Sequence, residues 1–186
     1  MSQRDDLLAG AKQCLIEKGY SKTTARDIAA ASGAHLASIG YHFGSKDNLM
    51  NLAVLEATSE WGNTITAAVR EAGGHDPTHR LRITLEHLLG AIARDRELLV
   101  TGIQAYAQAQ FDEQLRTKLA EGIREGRIAL AAMVLGIDAD RVDADTETGL
   151  GSVVYNLVTS FVLQALVDPA SVPSPDTIIE SLRRLV

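Results

Sequence analysis

The stretch from Gly19 to Leu49, GYSKTTARDIAAASGAHLASIGYHFGSKDNL, is punctuated at Gly19, Ser32-Gly33 and Gly44-Ser45. Between these breakers lie two short segments of helical periodicity, Ala25 to Ala31 and about Leu36 to Phe43. Thr23 or Thr24 is placed to cap the first, and Asp27, three residues after Thr24, supplies the acidic member of a capping box. Two short helices joined by a tight turn containing glycine form the skeleton of a helix-turn-helix. Ile28, Ala29, Ile39 and Phe43 recur at spacings that let both pack on a preceding helix, with the alanines permitting close approach.

That preceding helix spans roughly Asp5 to Lys18, with Leu7, Leu8, Ala11, Leu15 and Ile16 on one stripe and Gly19 as the residue that ends it. Cys14 sits in the same stretch and reads as a packed position, a free cysteine behaving as a small hydrophobe. On the other side, Ser45 caps a helix running from Lys46 to about Glu71, long enough to leave the small N-terminal unit. Further helices are expected near 77–94, 96–109, 112–135, 144–167 and 175–185, separated by Gly73-Gly74 with Pro77, by Gly136, and by Pro169, Pro173 and Pro175. In the first of these, Leu81, Leu85, Leu88 and Ile92 make one wall of a core. Sustained apolar/polar alternation is missing, so the expected fold is all-α. It comprises a three-helix helix-turn-helix domain at 1–46 and a helical effector-binding and dimerisation domain at 47–186.

The composition sets outer limits on function. The 186 residues are 46% hydrophobic and 23% charged, enough apolar content for a real core. The net charge of −6 is unevenly spread, with six Lys and Arg against five Asp and Glu in residues 1–50 and twelve against nineteen in the remainder. Nucleic-acid binding is therefore expected only at the N-terminal end. The amino terminus, MSQRDDLLAGAKQ, has acidic residues where an export signal needs a basic start and an apolar run, which predicts a cytoplasmic protein.

Thr148 to Val167 is a twenty-residue uncharged run of membrane-spanning length. Its Asn156, Thr159, Ser160 and Gln164, and its acidic flanks, predict a buried helix instead, with no membrane partner. GLGSVV at 149–154 imitates part of a dinucleotide fingerprint but follows no strand. His75 and His79 are too few for a structural metal site. The expectation is a protein with no cofactor, no metal and no catalytic site.

The helix-turn-helix supplies its own chemistry. Thr23 and Thr24 place hydroxyls and free backbone N–H groups at a helix N-terminus, which suits a phosphate oxygen. His35 to His42 forms the helix expected in the major groove, with His35, Leu36, Ser38 and Gly40 facing base edges and Ala37 and Ile39 closer to the core. Tyr41, His42 and Lys46 follow where phosphates would pass.

The ordered series Gly19-Tyr20, Thr23-Thr24, Arg26-Asp27-Ile28-Ala29, Ala31, Gly33, Ile39, Tyr41-His42-Phe43, Ser45-Lys46 and Leu49 resembles the TetR family of repressors over roughly thirty residues. The resemblance implies a dimer on a palindromic double-stranded DNA operator, released by a small-molecule effector. It also implies backbone contacts from Tyr41, His42 and Lys46, and with Thr23, Arg26, Tyr41 and Lys46 all present it argues for retained DNA binding. Two departures stand out: His35 replaces the usual Ser or Thr at the cap, and Gly40 replaces an aromatic or polar residue, leaving the groove-facing surface small.

In the C-terminal part, Leu150, Val153, Val154, Leu157, Phe161 and Leu166 make an apolar face wider than one side of a core needs. With Ile178, Ile179, Leu182 and Leu185 it is the expected four-helix dimer interface, in which Val153, Val154, Leu157, Phe161, Ile178 and Leu182 are the named contacts and Gly149, Gly151, Ser152 and Ser160 allow close approach. Trp61, Thr64, His87, Gln104, Tyr106 and Gln108 are candidate effector contacts. The competing reading is a helical ligand-binding protein without DNA activity; salt-dependent binding to a palindromic fragment separates the two.

Overall fold

The structure, a computed structural model, describes residues 2–185, and the regular elements among them are all helical. In order they are α1 (Gln3–Lys18), α2 (Ala25–Ser32), α3 (Ala37–Phe43), α4 (Lys46–Ala72), α5 (Pro77–Ala91), α6 (Arg96–Gln108) and α7 (Glu113–Leu135). A short α8 (Ala144–Thr146) runs through a π-helical turn at Glu147–Gly151 into α9 (Ser152–Val167), and α10 (Pro175–Arg183) closes the chain.

Two compact units result. One contains the chain up to Glu60 together with Glu97–Ala120; the other contains Trp61–Arg96 and the chain from Glu121 onward. The first is larger than residues 1–46 because Leu49, Met50, Ala53, Val54 and Ala57 of α4 are buried in one cluster with α1, α2 and α3, and Leu98 of α6 packs against it. The helix-turn-helix therefore takes part of its core from helices that begin after it.

Local capping explains the starts of α1, α2 and α4. Ser2 and Asp5 form a reciprocal capping box on α1, Thr24 and Asp27 do so on α2, and the Asn48 amide donates to Ser45 Oγ at 3.0 Å at the start of α4. α1 and α2 meet closely because Gly10 is buried: a Cβ there would lie 2.9 Å from both Cβ and the backbone nitrogen of Ser32. Gly33, at φ 67°, makes the left-handed turn that ends α2 and redirects the chain into α3. Cys14 is buried as expected, and burial pushes its thiol pKa up.

In the second unit, buried Ile83, Leu85 and Leu88 of α5, Val154, Val158, Val162 and Ala165 of α9, and Ile178 and Ile179 of α10 form the apolar interior faces. Gly151 allows α9 to lie on α7, since a Cβ there would be 2.7 Å from the Arg127 carbonyl oxygen. Its role lies within the protomer, against the expectation that it opens a dimer contact. Ala144–Val167 is long and apolar enough to span a membrane by length and composition, with a mean hydropathy of 1.7 over its most apolar window. Yet it carries the buried Glu147, which accepts from Arg127 Nη2 at 2.7 Å and pairs with Arg124 Nε at 3.2 Å. A carboxylate so paired belongs to a packed protein interior.

Candidate nucleic-acid interface

The exposed face of α3 follows from its helical spacing. Leu36, Ala37, Gly40 and Tyr41 lie within one arc of the helix and are all exposed, Tyr41 at 86%, while Ile39 is buried beneath them. An exposed leucine and tyrosine beside a small Ala/Gly surface is a shape that admits close approach of a groove. Ala37, placed near the core from sequence, is on the exposed face, and Ser38 is half-buried on its flank. The signal for Ala37 was available, since it stands four residues before Tyr41 and therefore on the same side. His35 is exposed but caps nothing: the residue at the cap position is Leu36, with no side-chain cap hydrogen bond.

The start of α2 is built for a different task at each threonine. Thr23 was expected to offer its hydroxyl to phosphate, but it is 2% exposed and donates to the Gly19 carbonyl at 2.8 Å, fastening the end of α1. Thr24 is exposed, accepts from the Asp27 amide at 3.2 Å and donates to Asp27 Oδ2 at 2.7 Å. Lys18 closes the network on Asp27 Oδ1 at 2.6 Å, and these hydrogen bonds hold the Asp27 carboxyl well below the usual carboxylate range. Asp27 and Lys18 therefore fix the N-terminus of α2, leaving exposed Arg26 beside it.

At the far end of α3, His42 and Phe43 are half-buried. His42 Nε2 lies 3.4 Å from Gln3 Oε1, and the Arg4 guanidinium stands 5.2 Å from the centre of the Phe43 ring. Gln3 and Arg4 had not been singled out from sequence; nothing in their local pattern announces that α1 begins beside the end of α3. Lys46 reaches back toward α2, with Nζ 3.5 Å from the Thr23 carbonyl, 3.1 Å from Asp47 Oδ1 and 5.6 Å from the centre of the Tyr20 ring. Tyr20 in turn donates to Asn51 at 2.9 Å. The ammonium is thus held over the junction of α2 and α4, at the edge of the α3 face.

The family described as "Bacterial regulatory proteins, tetR family" matches residues 7–53, the segment that carries this geometry. Among curated proteins, the chain is similar to the HTH-type transcriptional repressor AcnR of Corynebacterium efficiens, 28% identical over 134 residues that cover 69% of this chain and 70% of that protein. It is also similar to AcnR of Corynebacterium glutamicum, 40% identical over 48 residues that cover 26% of each. Residues 7–53 are a TetR-family helix-turn-helix. The chain is a DNA-binding transcriptional regulator, with the helix-turn-helix as its DNA-binding element.

Solved structures agree on the all-α TetR fold. The multidrug binding protein EbrR complexed with proflavin superposes with a TM-score of 0.70 at 23% identity, covering 100% of both chains. A TetR transcription regulator from Haloarcula marismortui gives 0.64 at 20% identity, covering 98% of this chain and 95% of that one.

The candidate effector residues do not fall in one unit. Trp61, Thr64 and His87 belong to the second, and Gln104, Tyr106 and Gln108 to the first. Thr64, Gln104 and Gln108 are exposed. Trp61 donates its indole N–H to Asp95 Oδ2 at 2.7 Å, and His87 Nδ1 lies 2.9 Å from the Ile83 carbonyl one turn earlier. A cleft of about 410 Å³ in the second unit lies elsewhere, between the start of α5 and α10, lined by residues including His79, Arg82, Asp176 and Arg183.

Of the expected interface residues, Val153 is exposed, and Leu157, Phe161 and Leu182 are half-buried. Val154 and Ile178 are corrections: at 2% and 4% exposure they belong to the core of their own protomer and have no surface to give a partner.

Proposed function

We propose that this regulator is a repressor that binds a palindromic operator as a homodimer and releases it when a small molecule binds its C-terminal helices. The observation that carries the DNA half of this reading is the exposed Leu36, Ala37, Gly40 and Tyr41 face of α3, bracketed by Arg26 at the start of α2 and by Lys46. Positive side chains at the margins neutralise phosphates while the small central surface approaches bases. The AcnR relatives, both described as repressors, support the sign of regulation. EbrR, described as a multidrug binding protein, supports a small-molecule effector.

Dimerisation is supported by α9. Val153, Asn156, Ser160, Leu163 and Val167 recur at spacings of three and four and are all exposed, an uncharged stripe on the side of the helix away from buried Val154, Val158 and Val162. Leu163→Asp is expected to convert dimer to monomer at micromolar concentration in sedimentation, because the carboxylate would be desolvated against its own copy. Val154→Ala should lower the melting temperature of the protomer instead, by removing buried methyl groups. A Leu163→Asp protein that remains dimeric would move the interface elsewhere.

Lys46→Ala is expected to weaken binding to all DNA sequences alike and to reduce the salt dependence by roughly one unit of slope per subunit, as the loss of one phosphate contact does. A loss confined to one operator base pair would assign Lys46 to base recognition. For the whole reading, the test is transcription from the adjacent promoter in cells that carry or lack the gene. Transcription that rises on deletion supports repression, and transcription that falls identifies an activator. Effector release needs only modest coupling: a tenfold loss of operator affinity requires the ligand to prefer the non-binding state by about 1.4 kcal/mol.

A further inference from the structure

The chemistry of the α3 face is set by the side chains its sequence omits. From Ala34 to Phe43 the sequence AHLASIGYHF contains no Arg, Lys, Asn, Gln, Asp or Glu. In the major groove guanine is most often read by Arg or Lys, adenine by Asn or Gln, and cytosine by a carboxylate, each through hydrogen bonds to the base edge. α3 has none of these to offer. At its start, where a recognition helix meets bases, stands Leu36, 48% exposed, with exposed Ala37 beside it. The Leu36 backbone is already helical, at φ −54° and ψ −39°, and its carbonyl accepts from the amide of buried Ile39 at 3.2 Å, so the leucine is carried on a fixed turn. One turn further on, Gly40 contributes no side chain, and nothing lies within 4 Å of the place its Cβ would take. A helix surface with so little relief lets a leucine and an alanine come within reach of base edges.

We propose that Leu36, with Ala37 beside it, is the specificity-determining contact of α3 and reads the 5-methyl groups of thymines in each operator half-site. The inference deepens the repressor reading given above and rests on its DNA half. The thymine methyl is the apolar group that a base edge displays in the major groove, and an aliphatic side chain is its complement. Against cytosine the same leucine would cover an amino group and leave it without a hydrogen-bond partner, so the wrong base is penalised as well as the right one favoured. Arg26 and Lys46, at the margins of the face, are left to hold phosphates, which sets the register of the helix in the groove without reading sequence.

The experiment starts from duplexes that the full-length protein selects out of a random pool. In the best site, thymines are replaced one at a time by deoxyuridine, which pairs with adenine in the same way and lacks only the 5-methyl group. At one or more thymines in each half-site the replacement is expected to lower affinity by about fourfold, the factor that burial of one such carbon gives, with the salt dependence unchanged. Exchanging the same T·A pair for C·G should cost more, and 5-methylcytosine in place of that cytosine should recover part of the loss. Leu36→Ala should weaken binding to the thymine site and bring the thymine and uracil duplexes within twofold of each other, as a pairwise contact requires. Because Leu36 lies outside the buried core, the melting temperature of the variant should hold. A selected site that tolerates uracil at every thymine, or a uracil penalty as large in Leu36→Ala as in wild type at every sensitive thymine, overturns the assignment and leaves the repressor reading intact. Failure to enrich any sequence from the pool overturns both.

Discussion

Gly40→Glu is expected to lower operator affinity by at least about a hundredfold near 0.1 M salt while leaving the fold intact. Gly40 is exposed on α3, and a Cβ added there meets no atom within 4 Å, so the substitution has room. In a helix interior, replacing glycine removes an entropic cost of about 0.5–1 kcal/mol, so the melting temperature should hold or rise. DNA binding should respond in the opposite direction. The new carboxylate would stand at the centre of the α3 face, where it meets phosphates and base acceptors with like charge, and such juxtapositions cost several kcal/mol, against about 2.7 for a hundredfold change. Circular dichroism, thermal melting and binding anisotropy on one preparation check both halves. A Gly40→Glu protein that binds DNA as wild type does would mean that α3 lies outside the contact.

Gly10→Val should destroy the same activity by a different route. The buried Gly10 meets Ser32 backbone and side chain at 2.9 Å and the Ile28 carbonyl at 3.1 Å from a hypothetical Cβ, and a backbone atom cannot swing aside as a long side chain can. A β-branched residue would wedge α1 from α2, at a cost of about 3 kcal/mol or more for overpacking of this severity. That corresponds to a fall in melting temperature of roughly 6–12 °C for a chain of this size. DNA binding should be lost because the surface that carries Thr24, Arg26 and α3 rests on that contact. Gly62→Ala, at a position where nothing lies within 4 Å, is the matched control and should be neutral or stabilising.

Much of this was legible in the sequence because it is local. Glycine breakers, the Thr24–Asp27 box and the period of the apolar residues fix α1 to α4 within a few residues of where they occur. The burial of Ile28, Ile39 and Leu49 follows from the same period. What was not legible depends on residues distant in the chain. Thr23 is buried because Gly19 and Cys14 present carbonyls to it, and two adjacent threonines give no clue which one turns inward. Val154 and Val153 are neighbours with opposite fates, which only the packing of α9 on its own protomer decides. The candidate effector residues share only the pattern of polar groups amid apolar ones, which says nothing about which unit each joins. The π-helical turn before α9 also left no signal, and an uncharged run hid the paired Glu147 just before it.

Recognition of a specific DNA sequence through α3 is open to direct test. The most direct measurement is binding anisotropy of the wild-type protein on a labelled duplex from its own upstream DNA and on a shuffled duplex of the same length, each across a salt series. The upstream duplex is expected to bind tighter by at least about a thousandfold, as specific sites ordinarily do, with affinity falling steeply as salt rises. Equal affinity for the two duplexes at every salt concentration would contradict it.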